Sequence, residues 1–92
     1  MTPETQRQAL RRLKIIKGQI AALEKQLEDD KYCIDVLDLS LSVQKALRSL
    51  DALVMEGHLR THVVEMMSHG EADKAVSELL RIYKVQGPGG EG

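Results

Sequence analysis

The stretch QALRRLKIIKGQIAALEKQL, residues 8–27, decides the fold of this 92-residue chain. Its apolar residues recur at alternating spacings of four and three positions: Ala9, Leu13, Ile16, Ile20, Leu23 and Leu27. This spacing places one apolar stripe along an amphipathic α-helix. Thr2 and Pro3 are typical of an N-cap and of the first helical position. The sequence therefore predicts a long first helix that has Thr2 as its N-cap and Pro3 as its first residue and ends within the segment Glu28–Lys31.

Two further helices are expected after this one. The second should begin near Asp30 and continue past His62, and a short third helix should follow a break at Ser68 to Gly70. No alternating apolar pattern indicates a strand. The predicted fold class is all-α with a three-helix protomer. We expect a single helical domain over residues 1–85 and a disordered Gly/Pro tail over residues 86–92.

The composition indicates that one chain does not form a stable hydrophobic core by itself. Its single cysteine, Cys33, excludes an internal disulfide, so a domain this small requires a metal, a partner chain or both. A second helix of more than about 30 residues has no partner of equal length in the chain, which predicts a dimer or larger assembly. The sequence contains no membrane span or secretory signal, and we expect a soluble protein of the reducing cytoplasm.

Basic residues are concentrated near the N-terminus. Residues 1–17 carry five basic side chains against Glu4, a local charge of +4, whereas the whole chain has a net charge of −1. At 100° per residue, Arg7, Arg11 and Lys14 lie opposite the apolar stripe of the first helix, and Arg12 lies at its flank. Such a surface suits an anionic partner, although a solvated helix face is the more common explanation when charge is the only evidence.

Three residues are candidate metal ligands: Cys33, His58 and His62. The two histidines stand four positions apart, which puts both rings on one helix face. Neither an isolated histidine pair nor a lone cysteine is specific, because both are common without a metal. On a continuous helix Cys33 and His58 are about 37 Å apart, so one chain cannot join them. Two antiparallel copies can, and the two-fold axis would then produce two Cys-His-His sites per dimer.

Two motifs, RLKIIKGQIAALEKQLEDDKYCIDVL at residues 12–37 and HLRTHV at residues 58–63, resemble the CsoR/RcnR family of metal-sensing transcriptional repressors. The matching positions are Arg12, Leu13, Gly18, Gln19, Tyr32, Cys33, Asp35, His58, Leu59 and His62. The resemblance covers roughly residues 4–85. It implies an antiparallel four-helix-bundle dimer, with two dimers forming a homotetramer. It also implies that the metal-free protein binds operator DNA without a helix-turn-helix and that the inducer releases it.

The same resemblance implies roles for residues outside the ligand set. Tyr32 matches a tyrosine beside the thiolate ligand, and Glu78 matches a glutamate that responds to the first ligating histidine. Such groups orient imidazole ligands and fix their tautomer. Arg12 matches an arginine that operator binding requires. Arg48 is a weaker match, and Lys45 would extend the same basic surface on the second helix.

The ligand set points to the inducer. Copper(I) members of the family commonly have Cys-His-Cys, nickel and cobalt members add an N-terminal histidine to Cys-His-His, and formaldehyde-responsive members lack the second metal ligand. This chain has Cys-His-His and no histidine before His58. Copper(I) accepts one thiolate and two imidazoles, whereas zinc needs a fourth ligand. We therefore expect copper(I), with zinc, nickel and cobalt as alternatives.

His69 is expected to favour carbonyls at a helix end rather than a metal, and the contribution of Met66 and Met67 to the site is left open.

A metal-buffering chaperone would use the same ligands but would not need the basic first helix. We expect no enzymatic activity, because no nucleophile, base and orienting group occur together and no carboxylate pair has acid–base spacing.

Overall fold

The structure, a computed structural model, describes residues 1–86. Its elements are α1 (Pro3–Glu28), α2 (Cys33–His58), a π-helical turn (Leu59–Val63), α3 (Val64–Ser68) and α4 (Ala72–Gln86). No strand occurs among the described residues, and the predicted all-α class is confirmed. The chain forms two compact units, one spanning Met1–Gly57 and the other beginning at His58.

The first helix begins where the sequence predicted. The Thr2 hydroxyl oxygen accepts a hydrogen bond from the backbone N–H of Thr5 at 3.1 Å, and Pro3 is the first helical residue. The hydroxyl satisfies one of the backbone donors that the first turn leaves without a helical partner. Proline is tolerated next to it, because the N–H that it lacks would have had no acceptor in the helix.

The turns that end α1 and α3 have the same geometry. Asp30 and Gly70 adopt left-handed backbone angles, with φ of 50° and 74°. The N–H groups of Lys31 and Glu71 donate to carbonyls five residues earlier, at 3.0 and 2.7 Å. A left-handed residue closed by this long-range bond ends a helix sharply. The predicted break before Gly70 is therefore confirmed, whereas the second helix begins at Cys33 and not near Asp30.

Helices α1 and α2 lie antiparallel within the first unit. The Arg12 guanidinium donates to the Ser49 hydroxyl at 2.9 Å and to the Ser49 carbonyl at 3.2 Å. Thr5, one turn into α1, lies against Gly57 near the end of α2. Early residues of one helix thus contact late residues of the other. Arg12, expected at the flank of the apolar stripe, instead reaches across to the neighbouring helix.

The apolar stripe of α1 divides into two rows, each with a spacing of seven residues. The row that includes the 2% exposed Ile16 is at least half-buried: Ala9, Ile16 and Leu23. The other row is exposed by 38%, 48% and 63%: Leu13, Ile20 and Leu27. A seven-residue spacing keeps each row on one side of the helix. Because α2 covers only one side of α1, half of the stripe remains open on a single chain.

A π-helical turn interrupts the stretch that was expected to be one regular helix. In the turn Leu59–Val63 the backbone hydrogen bonds span five residues rather than four, and α-helical winding resumes at Val64. The expected continuation of the second helix past His62 is therefore present, as far as Ser68, but it passes through a π-helical turn instead of regular α-helical winding. The wider turn contains Val63, which is 8% exposed and belongs to the core of the second unit. Turns of this kind are rare in proteins, but a large share of those that occur lie at functional sites.

The predicted third helix is α4, which is apolar on one side. Ala75 is 3% exposed and Leu79 is half-buried, whereas Val76 and Leu80 are exposed by 54% and 51%. The helix includes Gln86, which was predicted to belong to the tail, and the remaining tail residues 87–92 lie outside the described part of the chain. Across residues 1–86, no helix has the length and apolarity that crossing a membrane would demand.

Two helical glycines provide a matched test of how closely α1 and α2 pack in their antiparallel hairpin. A methyl group on Gly57 would lie 3.0 Å from the Cγ2 atom of Thr5, whereas one on Gly18 would meet nothing within 4 Å. Gly18→Ala should raise the free energy of unfolding by about 0.5–1 kcal/mol, because alanine loses less backbone entropy in a helix. Gly57→Ala should be less stable than Gly18→Ala by about 1–3 kcal/mol, the usual cost of overpacking.

Urea unfolding followed by circular dichroism measures both variants. The double variant Thr5→Ala, Gly57→Ala is the control, since removing the threonine methyl group relieves the overlap. Equal stability of the two single variants would contradict the close approach of α1 and α2 at Gly57.

Candidate metal site and basic surface

His58 and His62 lie side by side in the second unit. Their ring centroids are 5.4 Å apart and the ring planes are inclined by 37°. Two imidazoles that bind one ion through nitrogens about 2.0–2.1 Å from it hold their ring centres roughly 5–6 Å apart. The histidine pair therefore fits a shared metal ion. The segment between the two rings is the π-helical turn and not the regular helix face on which the pair was predicted.

Glu78 of α4 forms a hydrogen bond with His58, the first of these histidines. Its Oε1 atom lies 3.1 Å from the Nε2 atom of His58, and the two side chains are 36% and 31% exposed. A carboxylate oxygen accepts, so Nε2 carries the proton of this hydrogen bond. In the neutral ring the lone pair is then on Nδ1, which becomes the nitrogen available to a metal. Glu78 thus selects the tautomer and the orientation of His58.

Cys33 is the first residue of α2, and its thiol is free and exposed. The preceding residue, Tyr32, ends the connection from α1: its carbonyl accepts from the N–H groups of Asp35 and Val36 at 3.0 and 3.2 Å. The Tyr32 residue itself is 70% exposed. The positive end of the α2 dipole therefore lies at Cys33.

The predicted ligands fall into two groups. His58, His62 and their neighbour Glu78 belong to the second unit, and Cys33 belongs to the first. Within residues 1–86 of one chain, no three histidine, cysteine, aspartate or glutamate side chains come close enough to hold a metal ion.

His69 caps a helix. Its Nδ1 atom donates to the Glu65 carbonyl at 2.8 Å, where α3 ends. This agrees with the predicted preference of His69 for helix carbonyls. The two methionines that were left open lie on α3, with Met66 half-buried and Met67 exposed by 60%.

All the side chains predicted to bind DNA belong to exposed residues of the first unit: Arg7, Arg11, Arg12 and Lys14 on α1, and Lys45 and Arg48 on α2. Two of them have partners in the chain that were not predicted. Arg7 contacts Glu4 at 2.6 Å and Arg12 contacts Ser49. The three-residue spacing of Glu4 and Arg7 is a recognisable sequence signal for an ion pair. Ser49 is 37 positions from Arg12, and no local pattern connects the two.

Comparison with known proteins identifies the family. The copper-sensing transcriptional repressor CsoR of Bacillus subtilis is 34% identical over 77 residues, 84% of this chain and 76% of that protein. The copper-sensing transcriptional repressor RicR of Mycobacterium tuberculosis is 34% identical over 80 residues, 77% of this chain and 83% of that protein. The crystal structure of the copper-sensing repressor CsoR with Cu(I) from Geobacillus thermodenitrificans is similar with a TM-score of 0.84 and 32% identity, covering 91% of this chain and 88% of that one. A family model described as "metal-sensitive transcriptional repressor" matches residues 5–84, and the chain therefore belongs to that family.

Proposed function

We propose that this protein is a copper(I)-responsive repressor that binds operator DNA without metal and releases it when copper binds. The ligands in this proposal are Cys33 of one chain and His58 and His62 of a second copy. The family to which the chain belongs consists of transcriptional repressors rather than enzymes, as the sequence led us to expect.

The observation that carries the proposal is the arrangement of the two histidines and Glu78. The rings are separated by 5.4 Å, and the Glu78 hydrogen bond commits Nε2 of His58, so that Nδ1 is left for an ion. A histidine that binds a metal usually donates its other ring N–H to a carboxylate or a similar acceptor, which fixes the orientation of the ring.

Copper(I) is favoured over other metals by the chemistry of the ligands and by the relatives. One thiolate and two imidazoles suit a soft ion that accepts three ligands. Both named relatives and the similar crystal structure are copper-sensing repressors. Zinc, nickel and cobalt remain the competing ions, because each also binds imidazole and thiolate.

The proposed site needs two chains, because Cys33 and His58 are the first and last residues of α2. Antiparallel pairing of two α2 helices would bring the start of one beside the end of the other. The exposed row of α1, Leu13, Ile20 and Leu27, provides apolar surface for such a dimer. Similar apolar exposure continues on α2, where Ile34, Leu37 and Leu41 are exposed by 52%, 54% and 57%. We therefore propose a dimer, and the family resemblance favours two dimers in a tetramer.

Residues of this chain would couple the site to DNA through two connections. His58 would hold the metal through Nδ1, and its hydrogen bond from Nε2–H to Glu78 would link the site to α4. Bringing Cys33 toward a second chain would shift α2, which carries Lys45, Arg48 and the Ser49 partner of Arg12. Misalignment of these cations with the phosphates then lowers the affinity for DNA.

An anaerobic titration tests the proposed function. A fluorescent duplex taken from the promoter of the protein's own gene is bound by metal-free protein and titrated with copper(I), zinc(II) or nickel(II), with anisotropy as the readout. Copper(I) should weaken DNA binding by roughly 5- to 150-fold, the usual range of allosteric coupling. Release by zinc or nickel with no response to copper(I) would overturn the copper assignment. Failure to bind DNA in any metal state would favour a metal-buffering chaperone.

A further inference from the structure

The first turns of α1 contain a shallow groove lined by charged and polar side chains. Its volume is about 310 Å³, and it is lined by Glu4, Gln8, Arg11 and Arg12. Glu4 is the one acidic residue among residues 1–17, so the groove places a negative charge inside the most basic part of the chain. A carboxylate in that position repels the phosphates that the surrounding arginines attract.

Both oxygens of the Glu4 carboxylate are engaged. Oε1 accepts from the Arg7 guanidinium at 2.6 Å, and Oε2 accepts from the Gln8 side-chain amide at 3.0 Å. The hydrogen bond from Arg7, followed by that from Gln8 and by the charge of Arg11, holds the pKa of Glu4 below its ordinary value of 4.5. The carboxylate is therefore charged at neutral pH. It occupies one donor nitrogen of Arg7, and its negative charge offsets the attraction of Arg7 for a phosphate.

Arg12, which also lines the groove, has different hydrogen-bond partners from those of Arg7. Its hydrogen bonds to the Ser49 hydroxyl and carbonyl both come from the NH1 nitrogen. A guanidinium has five N–H donors on three nitrogens, so these bonds position the group while NH2 and Nε can still meet an anion. Arg12 is positioned by the neutral groups of Ser49 and keeps its full charge for a phosphate, whereas the charge of Arg7 is paired with a carboxylate of its own chain.

We propose that Glu4 is an internal competitor of the DNA phosphates, which withholds Arg7 from the DNA and so limits the affinity of the repressor. This inference rests on the proposed DNA-binding function. A phosphate that approaches Arg7 must displace the Glu4 carboxylate or remain beside it, and either event weakens the contact. Limiting the affinity serves a repressor that must release DNA, because a very tight complex would need a larger coupling to dissociate.

Salt dependence is the readout that a merely structural role for Glu4 would not change. Each additional phosphate contact steepens the plot of log affinity against log salt by about 0.9. Metal-free protein and a labelled duplex from its own promoter are titrated between 50 and 200 mM salt. The variants are Glu4→Gln, Arg7→Ala and the double variant. Glu24→Gln is the matched control, since Glu24 carries the same charge on α1 but lies about 200° around the helix from Glu4.

Glu4→Gln should bind DNA roughly two- to five-fold more tightly per contacting protomer, the range typical of exposed charge pairs. Its salt plot should steepen by about 0.9 per new contact, and adding Arg7→Ala should remove that increase. An unchanged slope in Glu4→Gln, or the same increase in Glu24→Gln, would overturn the inference while leaving the proposed function intact. Wild-type protein that leaves the duplex unbound at every salt concentration would overturn both.

Discussion

Replacing Cys33 with alanine should produce a repressor that binds DNA normally and no longer responds to copper(I). The thiolate is the soft ligand of the proposed site, and two imidazoles alone hold copper(I) poorly. Cys33 is exposed at the start of α2 and is not among the basic residues proposed to bind DNA, so the metal-free affinity should stay within about two-fold of wild type. The wild-type decrease of roughly 5- to 150-fold on adding copper(I) should disappear. Anisotropy titrations with and without metal measure both quantities.

A mixed-chain experiment tests whether the site is shared. Chains carrying Cys33→Ala are refolded together with chains carrying His58→Ala and His62→Ala. A mixed dimer then contains one intact site if the cysteine and the histidines come from different chains. Mixed protein should regain part of the copper response, whereas each parent alone should have none. A mixture as unresponsive as its parents would contradict the shared site, and a Cys33→Ala chain that still releases DNA on copper addition would contradict the role of the thiolate.

Replacing Ile16 with alanine should cost about 2–5 kcal/mol of the free energy of unfolding. Ile16 is 2% exposed between α1 and α2, and truncation removes three carbons from a close-packed environment that can relax only in part. Small domains have little stability in reserve, so a loss of this size should leave a large unfolded fraction at 37 °C. Urea unfolding at fixed protein concentration measures the change, since association would add to the apparent stability.

The neighbouring Ile15 provides the control for this substitution. It has the same side chain on the same helix but is 61% exposed. Ile15→Ala should change the free energy of unfolding by about 0.5 kcal/mol or less, the normal range for surface positions. Similar losses from both variants would show that the two-row division of the α1 stripe is wrong.

Much of the architecture could be predicted because it depends on local chemistry. The sequence correctly predicted the helix cap at Thr2 and Pro3 and the break at Gly70. Side-chain hydroxyls, proline and glycine affect the backbone only within a few residues, so a local pattern reveals their effect. The start of the second helix was misplaced, because an aspartate such as Asp30 adopts left-handed angles only in some contexts. The division of the α1 stripe was also not predicted, since periodicity reveals an apolar side but not how many partners cover it.

The candidate site was predictable in its members but not in its geometry. The spacing of His58 and His62 identified the pair, and the family resemblance pointed to Glu78. The π-helical turn between the rings leaves no periodic signal, since one widened turn does not alter the pattern of apolar residues around it. The contact of Arg12 with Ser49 depends on how two helices pair, which no local pattern records.

The turn Leu59–Val63 also bears on where the length of this protein can vary. A π-helical turn is equivalent to an α-helix with one residue inserted, so losing a single codon there would return the backbone to ordinary winding. The same loss inside α2 would rotate every later side chain by about 100° and pull residues such as Val43 out of register with α1. A deletion between His58 and His62 would, however, change the four-residue spacing of the proposed ligand pair, so relatives that keep both ligands should keep the length of the turn as well as that of α2.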